Sequence, residues 1–192
     1  MVRLNICIDI DGTITDPFYW LDLANYYFNK NLKEDDVKEY EIYKVLGVSE
    51  EEYNKFYDMY SELIHFRAKP REFASKVLKD ISQKHNIYYV SAREPKLMNI
   101  TEKWLKRYNF PKGEVYLLGT HNKIQKAKEL RCDIFIEDRY ENAVQLAKEG
   151  FKVLLIDCPY NRKPLKEGIY RVFNWEQIHE IIELIEKEKE IA

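Results

Sequence analysis

From residue 70 onward the chain alternates, segment by segment, between helical and strand patterning, and this rhythm constrains the fold more than any other feature. Pro70 suits a first helical position, with Phe73, Val77, Leu78 and Ile81 on one face of the helix it would open. Short apolar strand patterns follow at 87–90, 115–118, 133–137 and 152–156. Between them lie a helix after Pro95 (inner face Leu97, Ile100, Trp104, Leu105 and Tyr108), one at 123–130, and one at 140–149 closed by Gly150. A last helix spans about 175–189, with Asn174 and Gln177 as its cap and Trp175, Ile178, Ile181, Ile182 and Ile185 as its buried stripe. Strands joined by short helices require parallel pairing and right-handed crossovers. The expected fold is α/β, with an open, doubly wound parallel sheet.

Residues 4–10 supply a further buried strand, which Asp11-Gly12-Thr13 ends with turn chemistry. The stretch 16–68 interrupts the rhythm. It is rich in aromatic residues, and 33–66 reads as helical, with Ser49 and Glu52 in capping-box spacing. Tyr53, Phe56, Tyr57, Tyr60, Leu63 and Ile64 recur there at helical spacing. The expected organisation is a core of 1–15 and 69–192 with a small helical cap, 16–68, inserted between the first and second core strands.

The 192 residues suffice for one ordinary core plus a small insertion. A net charge of −2 argues against a nucleic-acid polymer as partner, and no apolar run approaches the ~20 residues of a membrane span. The amino terminus lacks a secretory pattern, and Cys7, Cys132 and Cys158 fit neither a disulfide framework nor a zinc site. A reducing cytoplasm is the expected setting; a homo-oligomer is compatible with the sequence.

Ligands of doubly wound sheets bind at the carboxyl ends of the strands. Asp9 and Asp11 end the first strand, Ser91 the second, and Glu137-Asp138 the fourth, while Lys123 opens the helix after the third. In an extended strand Asp9 and Asp11 point to the same face, so positive charge is expected beside them. Mg²⁺, which prefers hard oxygen ligands, is the natural candidate. Gly12 would let the backbone turn sharply beside a ligand.

Asp9-Ile10-Asp11-Gly12-Thr13 after an apolar strand resembles the first motif of the haloacid dehalogenase superfamily. Ser91, Lys123 and Glu137-Asp138 are similar to its second, third and fourth motifs, in order. The resemblance implies a Rossmann-like core and a Mg²⁺-dependent phosphomonoester hydrolase. Asp9 would form an aspartyl-phosphate, Asp11 would act as acid and base, and Ser91 and Lys123 would bind the phosphoryl group. The metal would be held by Asp9, Asp138 and Asp11, the last through its backbone carbonyl, with Glu137 behind them. Lys126 and Lys128 compete with Lys123 for the third motif.

The cap position looks like that of the 5′-nucleotidase branch, including the 5′(3′)-deoxyribonucleotidases. That likeness implies a nucleoside 5′-monophosphate as substrate; another small phosphate ester, such as a sugar phosphate, is the alternative, and a non-catalytic phosphate-binding module a more distant one. Phe18, Tyr19 and Trp20 follow the turn so closely that at least one should face the cleft, with Phe18 and Trp20 the candidates to stack on a base, and Arg93 the candidate to bind phosphate or ribose. Asn161 and Arg162 fall near the expected site edge. His65, His85, His121 and His179 lack metal-ligand spacing, and only His121 lies close to a motif residue.

Overall fold

The computed structural model describes residues 2–191. In chain order the elements are β1 (Asn5–Ile8), α1 (Leu21–Phe28), α2 (Ile42–Leu46), α3 (Glu50–Arg67), α4 (Ala74–Lys84), β2 (Asn86–Ser91) and α5 (Met98–Arg107). They continue with β3 (Glu114–Leu117), α6 (Ile124–Glu129), β4 (Ile134–Glu137), α7 (Tyr140–Lys148), β5 (Lys152–Ile156), β6 (Ile169–Val172) and α8 (Trp175–Ile191). The six strands form one sheet in the order β3-β2-β1-β4-β5-β6, and every pair is parallel. The order reverses at β1, which opens a crevice at the carboxyl ends of β1 and its neighbours β2 and β4.

Side-chain alternation along the strands explains why helices cover both faces. Ile6, Ile8, Ile87, Tyr89, Ile134, Ile136, Leu154 and Ile156 join α4, α5 and α8 in one core layer. Cys7, Val90, Phe135, Val153 and Leu155 face the other way, against Ala127 of α6 and Ala143 and Leu146 of α7. Trp104 of α5 is fully buried and donates from its indole to Ala68 O at 2.7 Å. Truncating such a residue to Ala costs about 3–5 kcal/mol. All three cysteines are buried and unbridged.

Between β1 and α4 lie α1, α2 and α3, with an apolar cluster around Trp20, Leu21, Ala24, Leu46, Phe56 and Ile64 that Cys158 and Tyr160 join from the loop after β5. The two ends of this inserted stretch meet at an antiparallel bridge, Thr15 with Pro70, flanked by Asp16 N–H to Lys69 O (2.8 Å) and Arg71 N–H to Ile14 O (2.9 Å).

Four expectations change. Pro70 belongs to this bridge, and the helix begins at Ala74 after Phe73 adopts a left-handed conformation (φ 59°). The 33–66 segment is not continuous: Gly47, at φ 63°, ends α2, and Ser49 caps α3 through the expected Glu52 box. On α3 the aromatic stripe divides, with Phe56 and Ile64 buried and Leu63 exposed. A sixth strand, β6, follows the proline-containing loop; only four residues long and on the sheet edge, it has a weak pattern of its own.

Candidate active site

The turn after β1 is built around one carbonyl: Ile10 O accepts from the N–H groups of Thr13, Ile14 and Thr15 at 3.0–3.3 Å. Gly12 makes that turn with φ +72°, and a Cβ there would run into the Asp138 carboxylate and stand 2.7 Å from the Tyr160 hydroxyl. Only glycine combines this backbone with this proximity. Asp9 N–H bonds to Ile136 O at 2.9 Å, which continues the β1–β4 pairing and brings Asp9 beside Glu137 and Asp138.

Lys123 stands immediately before α6, and its side chain is almost wholly buried. Its Nζ is 2.7 Å from Asp9 Oδ1 and 2.8 Å from Glu137 Oε1. The Asp9 approach is off the hydrogen-bonding direction, so Oδ1 is buried without a formed hydrogen bond. Burial opposes the lysine's charge, but Asp9 and Glu137 outweigh it and raise its pKa. Lys126 instead pairs with Glu129 at the surface. Of the competing lysines it is Lys123 that reaches the acidic strand ends.

Asp9, Glu137 and Asp138 each present a carboxylate oxygen within 4.8 Å of the others. Glu137 is occupied by Lys123, by Asn142 (2.7 Å) and by the backbone N–H groups of Asp138 (2.8 Å) and Arg139 (2.9 Å). These donors overcome burial and lower its pKa. The other two carboxyls lack that support. Burial, then the charges of Glu137 and Asp11, push Asp9 up to about 7 against the opposing pull of Lys123. Burial, Glu137 and Asp9 raise Asp138 well above the carboxylate range. One lysine thus faces three buried carboxyls, and the excess of negative charge suits a divalent cation with oxygen ligands. The side chain of Asp11 lies outside this trio, in keeping with the expectation that only its backbone carbonyl would face a metal.

Asp11 turns toward the neighbouring strand end. Arg93 donates from Nη2 to Asp11 Oδ1 at 2.7 Å and from Nε to Oδ2 at 2.8 Å, and from Nη1 to Thr101 at 2.9 Å. Burial alone would raise the Asp11 pKa; Arg93, then His65, hold it well below the usual range. Arg93, expected as a phosphate or ribose ligand, is therefore in this structure the partner of Asp11. Ser91 is buried at the end of β2, and its Oγ accepts from Arg93 N–H at 3.2 Å.

Above these residues lies a cavity of about 340 Å³, whose wall includes Asp11, Tyr19, Trp20, Tyr40, Tyr53 and Tyr57. Trp20 lines it, as expected, but Phe18 does not: it packs into the cluster of the inserted helices, and Tyr19 takes the inward place. Glu50, Tyr53, Asn54 and Tyr57 form one stripe of α3 along the cavity, a polar set at i, i+3, i+4 and i+7 inside an otherwise amphipathic helix. That spacing is the signal by which sequence reasoning could have found them. His121 also lines the cavity, edge-on to Tyr40; burial and the charges of Arg139 and Lys123 push it down to about 4.

Sequence reasoning passed over Tyr160 and His65 and left Asn161 without a role. The Tyr160 hydroxyl donates to Asp138 Oδ2 at 2.5 Å. Asn161, fully buried, donates to Asp138 O (2.6 Å) and Ile156 O (2.8 Å), tying the loop after β5 to the acidic strand end. Arg162 points away and pairs with Asp157 at 2.8 Å. His65, near the end of α3, is buried against Asp11.

Comparison with known proteins converges on one group. Residues 3–189 match the family described as 5′ nucleotidase, deoxy (Pyrimidine), cytosolic type C protein. A protein of Clostridium acetobutylicum named as a nucleotidase is 48% identical over 192 residues, all of both chains. The fold is similar to a haloacid dehalogenase-like hydrolase of Streptococcus pneumoniae (TM-score 0.61, 15% identity, 81% of this chain and 85% of that one). It is also similar to the HAD-type protein YfnB of Bacillus subtilis, solved bound to magnesium (TM-score 0.64, 13% identity, 95% and 100%).

Proposed function

The chain belongs to the type C 5′-nucleotidase family of haloacid dehalogenase phosphatases, and from that membership we propose that it hydrolyses nucleoside 5′-monophosphates, deoxyribonucleotides among them, with Mg²⁺ and through an aspartyl-phosphate on Asp9. The observation that carries the reading is the convergence of Asp9, Lys123 and Asp138 at adjacent strand ends beneath an aromatic cavity.

Asp9 attacks phosphorus as the bond to the leaving oxygen breaks, and Asp11 delivers a proton to that oxygen. In the second half-reaction Asp11 takes the proton of the attacking water, the Asp9–phosphorus bond breaks and inorganic phosphate leaves. Both aspartates end in their starting protonation states. Lys123 holds the Asp9 carboxylate and neutralises phosphoryl charge; Ser91 donates to a phosphoryl oxygen once its hydroxyl is turned inward. Mg²⁺ held by Asp9, Asp138 and the Asp11 carbonyl would supply positive charge opposite the phosphoryl oxygens. The acid form of Asp11 is incompatible with a two-pronged arginine, so Arg93 must give up at least one of its contacts during turnover.

The inserted helices, 16–68, act as the cap that selects the ester. Tyr53 and Tyr57 lie nearly parallel, with centroids 6.2 Å apart, and with Tyr19, Trp20 and Tyr40 they offer aromatic surface to a base. A cavity of about 340 Å³ lies within the range of small-ligand sites, about 300–1,000 Å³.

The test is turnover of purified protein with Mg²⁺ on ribo- and deoxyribonucleoside 5′-monophosphates, sugar phosphates and aryl phosphates. Higher kcat/KM on the nucleotides is expected. A preference for a sugar phosphate by orders of magnitude would overturn the substrate and leave the phosphatase chemistry standing.

A further inference from the structure

The carboxyl group of Asp11 is held from two sides by different parts of the chain. From the sheet side comes Arg93, after β2, bonded to both oxygens. From the inserted helices comes His65, whose Nδ1 lies 3.3 Å from Asp11 Oδ1 and whose Nε2 lies 2.8 Å from the Tyr57 hydroxyl. His65 is 2% exposed, and its Nδ1 makes no formed hydrogen bond, so a buried polar atom is aimed at Asp11 and left short of it. Tyr57 in turn lines the substrate cavity.

The two neighbours differ in what they tolerate. A guanidinium bonded to both oxygens serves only the carboxylate. An imidazole N–H pointed at Oδ1 serves carboxylate and neutral acid alike, because Oδ1 accepts in either state and Oδ2, once Arg93 Nε releases it, can carry the proton. The Tyr57 hydroxyl lies 2.8 Å from Nε2; in the tautomer in which it donates there, the imidazole proton sits on Nδ1, facing Asp11.

We propose that His65, locked by Tyr57, is a positioning residue for Asp11: it holds the carboxyl rotamer by Oδ1 so that Oδ2 faces the leaving oxygen, and thereby makes the inserted helices a direct participant in leaving-group protonation. The inference rests on the reading of Asp11 as the general acid. It assigns the last three turns of α3 a task that neither substrate selection nor the haloacid dehalogenase motifs supply.

The experiment compares kcat/KM for two phosphate esters of similar size and no base, benzyl phosphate and 4-nitrophenyl phosphate. Alkoxide departure needs a proton; nitrophenolate departure does not. Asp11→Asn should lower kcat/KM for benzyl phosphate by about 100-fold or more, and much less for the nitrophenyl ester. His65→Phe should lower the benzyl value about 10- to 100-fold, the scale of a misplaced catalytic group, and leave the nitrophenyl value within about 3-fold. His65→Asn, whose amide nitrogen replaces Nδ1, should recover most of the loss. Tyr57→Phe should shift the benzyl value in the same direction by less, and it decides the question if His65→Phe fails to fold. Equal losses on both esters, or none on benzyl phosphate, while Asp11→Asn discriminates, would overturn the role of His65. If Asp11→Asn itself does not discriminate, the acid assignment falls and the inference with it.

Discussion

Lys123 Nζ stands 2.7 Å from Asp9 Oδ1, in a position reached by only 1% of its surface from solvent. A lysine this deep remains charged because Asp9 and Glu137 face it together. Lys123→Met should therefore do two things at once. It leaves buried carboxylates uncompensated, a change that typically costs about 3–5 kcal/mol. It also removes phosphoryl-charge stabilisation, for which a loss of about 100-fold or more in kcat is expected. Urea unfolding and steady-state kinetics measure the two separately. Unchanged kcat would remove Lys123 from the reaction.

The trio of Asp9, Glu137 and Asp138 should make the fold itself sensitive to divalent cations. Mg²⁺ at ~100 times its dissociation constant should stabilise the folded chain by about 2.7 kcal/mol. The check is the melting temperature in chelator against a Mg²⁺ titration, with activity followed in parallel. Asp138→Asn should abolish most of the upward shift. A melting temperature indifferent to Mg²⁺ in the wild type would mean that no cation is held there.

Asp9 gives a pH signature of definite sign. Its carboxyl is pushed up to about 7 from 3.8, chiefly by burial, so the folded chain holds this proton more tightly than the unfolded one. That contribution to stability is complete below the ordinary carboxylate range and is lost as pH rises through about 7. Asp11 and Glu137, both lowered, act oppositely, contributing above the ordinary range and losing that contribution as pH falls. Asp9→Asn removes the first effect and leaves those of Asp11 and Glu137 in place. In chelator, its melting temperature relative to wild type should climb between pH 5 and pH 8. A constant difference across that window would contradict the raised value. The same variant should have almost no turnover.

Gly12 has no tolerable replacement. Alanine there would carry the left-handed strain of about 1–2 kcal/mol and press against Asp138 and Tyr160. Gly12→Ala should lose kcat about 100-fold or more and melt several degrees lower. Gly47→Ala, also left-handed (φ +63°) but with open space around its Cβ, should lose stability alone. Similar kinetic losses in both would mean that the crowding at Gly12 is irrelevant.

What the sequence made legible was the part governed by periodicity and strand-end chemistry. The rhythm of strand and helix patterns from residue 70 onward announced a parallel sheet covered on both faces, and strand-end chemistry singled out Asp9, Lys123 and Asp138, which meet in the structure. What stayed hidden depends on contacts between distant segments. His65 meets Asp11 across 54 positions of chain, and no local pattern marks it. Tyr160 went unmarked, and Asn161, placed near the site edge, had no role, because both act through Asp138 only once the loop after β5 packs over it. Which of Phe18, Tyr19 and Trp20 faces the cavity is set by the tight turn that precedes α1, which sends Tyr19 and Trp20 inward and Phe18 into the helical cluster.

The bridge of Thr15 with Pro70 joins departure and return at a single crossing. Arg71 fastens that crossing to the catalytic turn, donating to Gly12 O at 2.8 Å. The sheet is thereby insulated from the length of whatever hangs beyond the crossing, since loop closure is already secured at its base. Helices could be traded, trimmed or grafted between positions 16 and 69 while the strand register below stayed put. What such an exchange would have to preserve is the pair of attachments beyond the crossing, His65 at Asp11 and the packing of Cys158 and Tyr160 on the helices.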